Sequence, residues 1–288
     1  MQTNLFRVSE QEALTTARVK YYYDEKGELY PVQLLACDKR IFRNPAFEPD
    51  KDKTHFSTKM HTSDVISEEN ENECSNISKE CSINRAKRAI YDLIRCNHFS
   101  HFCTLTFDGS KVERSDYASV VRKFSQWCDN RVRRKGLLYC GVIERHKQSN
   151  GLHFHICTND SLAFVDSGTV KCQGHKKPIK IATADRYGVP EADRKTVYNI
   201  SEWSYGFSTA IEITGDPTGA KVAAYLKKYL TKDFEKIGGR YYYSGGQLRR
   251  PLYKYVDADL SESESDFEFS VGGNVYRGLS IEKTTQNF

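Results

Sequence analysis

Leu137–Asn159, LLYCGVIERHKQSNGLHFHICTN, reads as two strands and a tight turn. The first run, Leu137 to Arg145, is apolar and β-prone. Lys147-Gln148-Ser149-Asn150-Gly151 is polar and ends in Asn-Gly, the dipeptide that tolerates the positive φ of a tight hairpin turn. The second run, Leu152 to Thr158, alternates. Side chains two apart on a strand share a face, so His153 and His155 point one way and Phe154 and Ile156 the other. Folding about the turn sets Glu144 opposite His153. Two imidazoles and a carboxylate on one patch make a three-ligand set for a divalent metal, with coordination positions left for substrate. A His-x-His strand taken alone is an ordinary surface feature, so the reading needs a second element.

That element is Lys221–Lys232, KVAAYLKKYLTK. On a helix, residues four apart stack on one face, which aligns Tyr225 with Tyr229. Lys228 follows the first tyrosine by three residues and Lys232 the second, so the segment is a doubled Tyr-x-x-Lys. A third element is the strand-like Phe102-Cys103-Thr104-Leu105-Thr106-Phe107, in which Thr104 and Thr106 share a face.

His-hydrophobic-His, the helical Tyr-x-x-Lys-Tyr and the Phe102–Phe107 strand, in this order, resemble the HUH endonucleases. More narrowly they resemble rolling-circle replication initiators of small phages, microvirus and filamentous types, and plasmids. The resemblance covers about Arg85 to Tyr255. It implies an α+β fold with a central antiparallel sheet, in the ferredoxin-like manner, carrying the histidines beside flanking helices. It also implies a divalent cation, Mg²⁺ or Mn²⁺, held by His153, His155 and Glu144. The third ligand varies within the family, and His146 is the alternative to Glu144. Tyr225 and Tyr229 are then the candidate nucleophiles, with Lys228 and Lys232 to steady the phenolate or the phosphate. The expected partners are single-stranded DNA at a replication origin, with a host helicase and polymerase.

Composition sets the frame. The chain has 288 residues, 39% of them hydrophobic, and a net charge of +5, enough for one large domain with appendages and only mildly basic overall. Eighteen tyrosines against two tryptophans suit base stacking. Nine cysteines without a Cys-x-x-Cys fit a reducing compartment, with Cys140 and Cys157 as apolar fillers of the hairpin. Cys172-x-x-His175 lacks a partner pair for zinc. With no apolar run of membrane-spanning length, a cytoplasmic protein is expected and no membrane contact.

The chain divides, on composition, into an N-terminal appendage (1–49), an acidic linker (50–82), an endonuclease domain (83–256) and an acidic, loosely ordered tail (257–288). Within the first, Arg18 to Phe42 reads as a hairpin turning at Lys26-Gly27. Arg85–Arg95 reads as a basic amphipathic helix. Asp116 to Lys135 reads as a helix with Val120, Val121, Phe124 and Trp127 on its buried stripe, stopped by Gly136. Asp160 to Ser201, broken by Gly and Pro, reads as an irregular insertion. Tyr205 to Thr214 alternates like a half-buried strand, and Pro217 to Phe234 is the tyrosine helix. Aromatics interleaved with cations from Arg240 to Tyr255 fit a single-stranded nucleic-acid groove. The expected contacts are Arg240, Tyr242, Arg249 and Arg250, joined by Lys227 of the tyrosine helix and by Thr104 and Thr106.

The expected activity is a metal-dependent nick of single-stranded DNA through a 5′-phosphotyrosine link, followed by rejoining. Three alternatives stand beside it. A relaxase or single-strand transposase shares the chemistry, but relaxases carry His-His-His clusters and an N-terminal tyrosine. A non-catalytic nucleic-acid-binding domain accounts for the Tyr and Arg richness and leaves Glu144, His153 and His155 unused. A two-His-one-carboxylate iron oxygenase uses the ligands but not the tyrosine–lysine helix.

Overall fold

The structure is a computed structural model and describes residues 14–44, 68–145, 151–175, 177–230 and 236–281. In chain order its elements are strands β1 (Leu14–Thr15), β2 (Ala17–Tyr23), β3 (Leu29–Cys37) and β4 (Phe42–Arg43), helix α1 (Glu68–Cys96), β5 (His101–Phe107), α2 (Tyr117–Lys135), β6 (Tyr139–Arg145), β7 (Leu152–Thr158), β8 (Phe164–Cys172), β9 (Ile179–Lys180) and the short α3 (Ile181–Arg186). Then come β10 (Arg194–Ile200), β11 (Gly206–Glu212), α4 (Ala220–Tyr229), β12 (Tyr243–Gly245), β13 (Leu252–Val256), β14 (Phe267–Val271) and β15 (Asn274–Ser280). The fold is α+β, and its large sheet is antiparallel throughout. The chain forms two compact units: Cys74–Arg249, and Met1–Glu73 together with Arg250–Phe288.

The first unit is built on an eight-stranded sheet of order β12-β6-β7-β5-β11-β10-β8-β9. Alternation along its central strands sends Cys103, Leu105, Phe107, Phe154 and Ile156 to one face, where α2 covers them with Val120, Val121, Phe124 and Trp127. Phe124 is fully buried and stacks on Phe154 with ring centroids 4.1 Å apart. The other face, with Cys140, Val142 and Cys157, is covered by Ala86, Ile90, Leu93 and Ile94 of α1 and by Ala223 and Leu226 of α4. Burial pushes the Cys103 and Cys140 thiols up to about 12, so both act as packing groups.

Helix α2 has the ends its sequence announces. The Asp116 carboxylate accepts from the Ser119 N–H, and Gly136 closes the helix in the left-handed region at φ 68°. The stretch from Asp160 to Ser201 is not irregular. It supplies β8 and β10, paired over seven residues with a bulge at Val197/Tyr198, and so widens the sheet. Its Asp, Ser and Gly residues sit on a strand that is mostly exposed, which removes the buried alternation that marks strands in sequence.

The second unit is a five-stranded sheet of order β13-β2-β3-β15-β14 beside the short β1–β4 pair. The expected hairpin is present as β2 and β3, turning through Gly27 at φ 83°. The domain boundaries expected from composition do not hold. Residues 257–288 are not simply a loose tail: β14 and β15 pair with each other, and β15 pairs with β3. β13, expected in the endonuclease domain, pairs instead with β2. Helix α1 begins at Glu68, inside the stretch expected as linker. Local composition cannot show these pairings, because their partners lie more than two hundred residues away along the chain. Among the described residues, no helix is long and apolar enough to cross a membrane.

Candidate active site

The site lies on the sheet face covered by α1 and α4. The hairpin register pairs Glu144 with His153 and Val142 with His155, and β5 on the other side pairs Thr106 with His153 and Thr104 with His155. Alternation therefore brings Glu144, His153, His155, Thr104, Thr106 and Phe102 to one face. Glu144 reaches diagonally: its Oε2 lies 2.9 Å from His155 Nε2, although His153 is its register partner. Diagonal neighbours on antiparallel strands are within reach of a long side chain.

The two threonines differ from expectation. Their hydroxyls, expected at nucleic acid, lie against the imidazoles: Thr104 Oγ1 is 3.1 Å from His155 Nδ1 and Thr106 Oγ1 is 2.9 Å from His153 Nδ1. With an Nδ1–H donating to a threonine oxygen, Nε2 becomes the lone-pair nitrogen of the ring. This is the outer contact that fixes tautomer and orientation in metal-binding histidines. The sequence signal for it was the i, i+2 match of two Thr to two His on neighbouring strands.

Helix α4 lies over this face. Gly219, at φ 69°, leads into it, and the Asp216 carboxylate accepts from the Val222 N–H at 2.9 Å. Ala223, Leu226 and the following Leu230 are buried, which turns both tyrosines toward the histidines. The Tyr229 ring stacks on His155 at 4.3 Å, and the Tyr225 ring meets Phe102 edge-on at 5.3 Å. Their hydroxyls are 2.7 Å apart. Tyr225 is 46% exposed and Tyr229 is half-buried. Burial first, then the neighbouring Tyr225 and Glu144, raise the Tyr229 pKa above the usual phenol value.

The remaining candidates are spread more widely. Lys228 is exposed on α4, one turn beyond Tyr225. Lys227 sits with its ammonium 5.0 Å from the centre of the Tyr91 ring. Lys232 and His146 lie outside the described residues, as does the hairpin turn from Lys147 to Asn150. Arg240 and Tyr242 line a cleft of ≈ 540 Å³ together with Arg85, Lys236 and Tyr241. Arg249 is held by Asn97, whose side-chain amide accepts from its N–H and donates to its carbonyl, both at 2.8 Å. Arg250 and Tyr253 to Tyr255 belong to the other compact unit, so the basic aromatic stretch is divided between the two. Phe102, which touches both His155 and Tyr225, was not singled out from sequence.

The donor set fits a divalent cation in part. Two ligands about 2.1 Å from an octahedral ion and side by side are about 3 Å apart, close to the 2.9 Å between Glu144 and His155. The His153 ring stands 6.3 Å from that of His155, on the same face and nearly parallel. Among the described residues, no three His, Cys, Asp or Glu side chains are closed around one point. The arrangement is therefore an open set that His153 completes by turning toward the other two.

No curated protein and no solved structure matches the chain. Residues 100–234, which span β5, the histidine hairpin and α4, match the family model of replication-associated protein ORF2/gene II protein, and that match supports a replication-initiator family for the segment that builds the site.

Proposed function

We propose that the protein is an endonuclease that nicks single-stranded DNA at a replication origin through a 5′-phosphotyrosine link and later rejoins the strand, as in rolling-circle replication. The observation that carries the reading is the pair of tyrosine hydroxyls, 2.7 Å apart, on a helix whose Tyr229 ring lies on His155. Bound by His153, His155 and Glu144, a divalent cation would neutralise charge on the scissile phosphate and polarise phosphorus. The protein's own groups supply the rest.

Tyr225 is the more exposed hydroxyl and the one open to an incoming strand, so it attacks first. Its oxygen bonds to phosphorus in line as the P–O3′ bond breaks. The phenolic proton goes to solvent, and the departing O3′ takes one up to become a free hydroxyl that a polymerase can extend. Tyr229, held neutral by burial, donates its O–H to the Tyr225 oxygen as negative charge gathers there. Once Tyr225 carries the DNA, Tyr229 is placed for a second cut. Rejoining is the reverse step: a 3′-hydroxyl attacks the phosphotyrosine and releases the phenol. Lys228 and the cations of the Arg85–Arg240 cleft bind the flanking phosphates.

The test is incubation of the full chain with end-labelled single-stranded DNA and Mn²⁺ or Mg²⁺, followed by denaturing electrophoresis. A metal-dependent protein–DNA adduct that is lost in His153→Ala and in Tyr225→Phe/Tyr229→Phe is the expected result. Metal-dependent cleavage with no adduct would refute the tyrosine route.

A further inference from the structure

The five-stranded sheet has two unlike faces. Register places Ala17, Val19, Leu34, Ala36, Leu279 and Val256 on one face, and most of these are buried. The opposite face carries Tyr253 and Tyr255 of β13, Arg18 and Lys20 of β2, Gln33 and Leu35 of β3, Tyr276 of β15, and Phe267 and Phe269 of β14. Every one of these side chains is at least partly exposed. Phe267, Phe269 and Tyr253 are 39%, 43% and 37% exposed, so aromatic rings are left facing solvent on an open sheet. Large apolar groups exposed together mark an interaction surface.

The rings form a continuous row across the sheet. The Arg18 guanidinium lies 5.1 Å from the Tyr253 ring centre and 5.5 Å from that of Phe42. Phe42 meets Tyr276 at 6.3 Å, Tyr276 lies parallel to Phe269 at 5.0 Å with 3° between planes, and Phe269 is stacked with Phe267 at 6.3 Å. Gly278 stands directly opposite Phe267, and a methyl group there would run into that ring. The absence of a side chain lets the ring lie down on the sheet.

Charge on this face has one sign. The only carboxylate within the five strands is Glu268, which alternation turns to the opposite face, where it pairs with Arg277 at 2.8 Å. Arg18 and Lys20 are therefore the only ionic groups of the strands on the ring-bearing face. Rings with cations between them, and no acid, match unpaired bases joined by phosphates: π-faces for the bases and positive charge for the backbone.

We propose that this face is a second binding platform for single-stranded nucleic acid, separate from the tyrosine site. It does not rest on the phosphotyrosine chemistry. It holds a strand by base stacking on Tyr253, Tyr276 and Phe269, with Arg18 and Lys20 on the phosphates.

The test uses the full chain and a short fluorescein-labelled oligo(dT), read by anisotropy. Phe269→Leu, Tyr253→Leu and Arg18→Gln each leave the buried face untouched, and a thermal melt checks the fold. Each ring variant should weaken binding about fivefold or more, which is the low end of base stacking on an aromatic side chain. Arg18→Gln should flatten the log–log salt slope by about 0.7. Irradiation with 5-iodouracil DNA should crosslink peptides containing Tyr253, Phe269 or Tyr276. Unchanged affinity in all three folded variants, crosslinks confined to residues 74–249, or equal competition by duplex DNA would overturn the platform. So would a dimer that Phe269→Leu splits without loss of DNA affinity, since that assigns the face to a second copy. Because binding is read without cleavage, a protein that forms no adduct but loses affinity in these variants keeps the platform and discards the endonuclease reading.

Discussion

Replacing Thr104 with valine removes one oxygen and keeps the strand. The residue is half-buried in β5, and valine has the same branching and an equal or better β preference. What goes is the 3.1 Å contact between Oγ1 and His155 Nδ1. One neutral hydrogen bond contributes about 1 kcal/mol to stability, so the fold should survive with a small drop in melting temperature. The larger effect is on the imidazole. Without an acceptor at Nδ1, the ring loses both its angle and its preference for presenting Nε2 toward Glu144. Loss of such an outer contact costs about 10–100-fold in metal affinity, or about 1.4–2.7 kcal/mol. Calorimetric titration with Mn²⁺ measures the first quantity, and the Mn²⁺ concentration for half-maximal adduct formation gives an independent value. Oligonucleotide affinity without metal should stay unchanged. The reverse split, weaker DNA binding with unaltered Mn²⁺ affinity, would refute the positioning role and return the threonine to the nucleic-acid surface.

Three further outcomes follow from the geometry. Tyr225→Phe should reduce adduct formation far more than Tyr229→Phe, with peptide mapping finding the DNA on Tyr225 in the native protein; DNA first on Tyr229 would reverse the order. Gly141→Ala should drive a methyl group into the carbonyl of His155 and the backbone of Ile156, prising β6 from β7. The cost is about 1–3 kcal/mol by overpacking, seen as a lower melting temperature together with loss of metal binding; an unshifted melt would show that the hairpin absorbs it. Deleting Asp257–Phe288 removes β14 and β15, so the bonds between β15 and β3 are lost. Limited proteolysis should then cut within residues 14–44, and resistance there would show that β2 and β3 stand without β15.

Much of the site was legible because its chemistry follows strand and helix periods. His153 and His155 share a face by alternation, Glu144 joins them by hairpin register, and Tyr225 and Tyr229 align by a single helical turn. The ends of α2 were legible for the same reason, since Asp116 and Gly136 act on their immediate neighbours. What escaped depends on partners that periodicity does not name. The contacts of Thr104 and Thr106 with the imidazoles come from the β5–β7 pairing, set by the sheet and not by the hairpin. The β8–β10 pairing hides behind a solvent-facing strand with glycine and a bulge. The five-stranded sheet joins segments near the two ends of the chain, so its acidic last piece looked like tail when read alone.

That joining sets an order of events during synthesis. β2 and β3 leave the ribosome early, but β13 and β15 follow roughly 200 residues later, which at about 5–20 residues per second is about 10–40 s. Over that interval the hairpin has both edges unpaired, while the residues of the tyrosine-bearing unit are made in one unbroken run and can close on themselves. Exposed strand edges recruit other chains. Lys20 and Arg18 on β2, and Pro31 on β3, are residues of the kind that discourage such pairing while the hairpin waits. The tyrosine-bearing unit is thus complete before the sheet that unites the ends, and a chain interrupted anywhere in its last forty residues would carry a finished site beside an unfinished sheet.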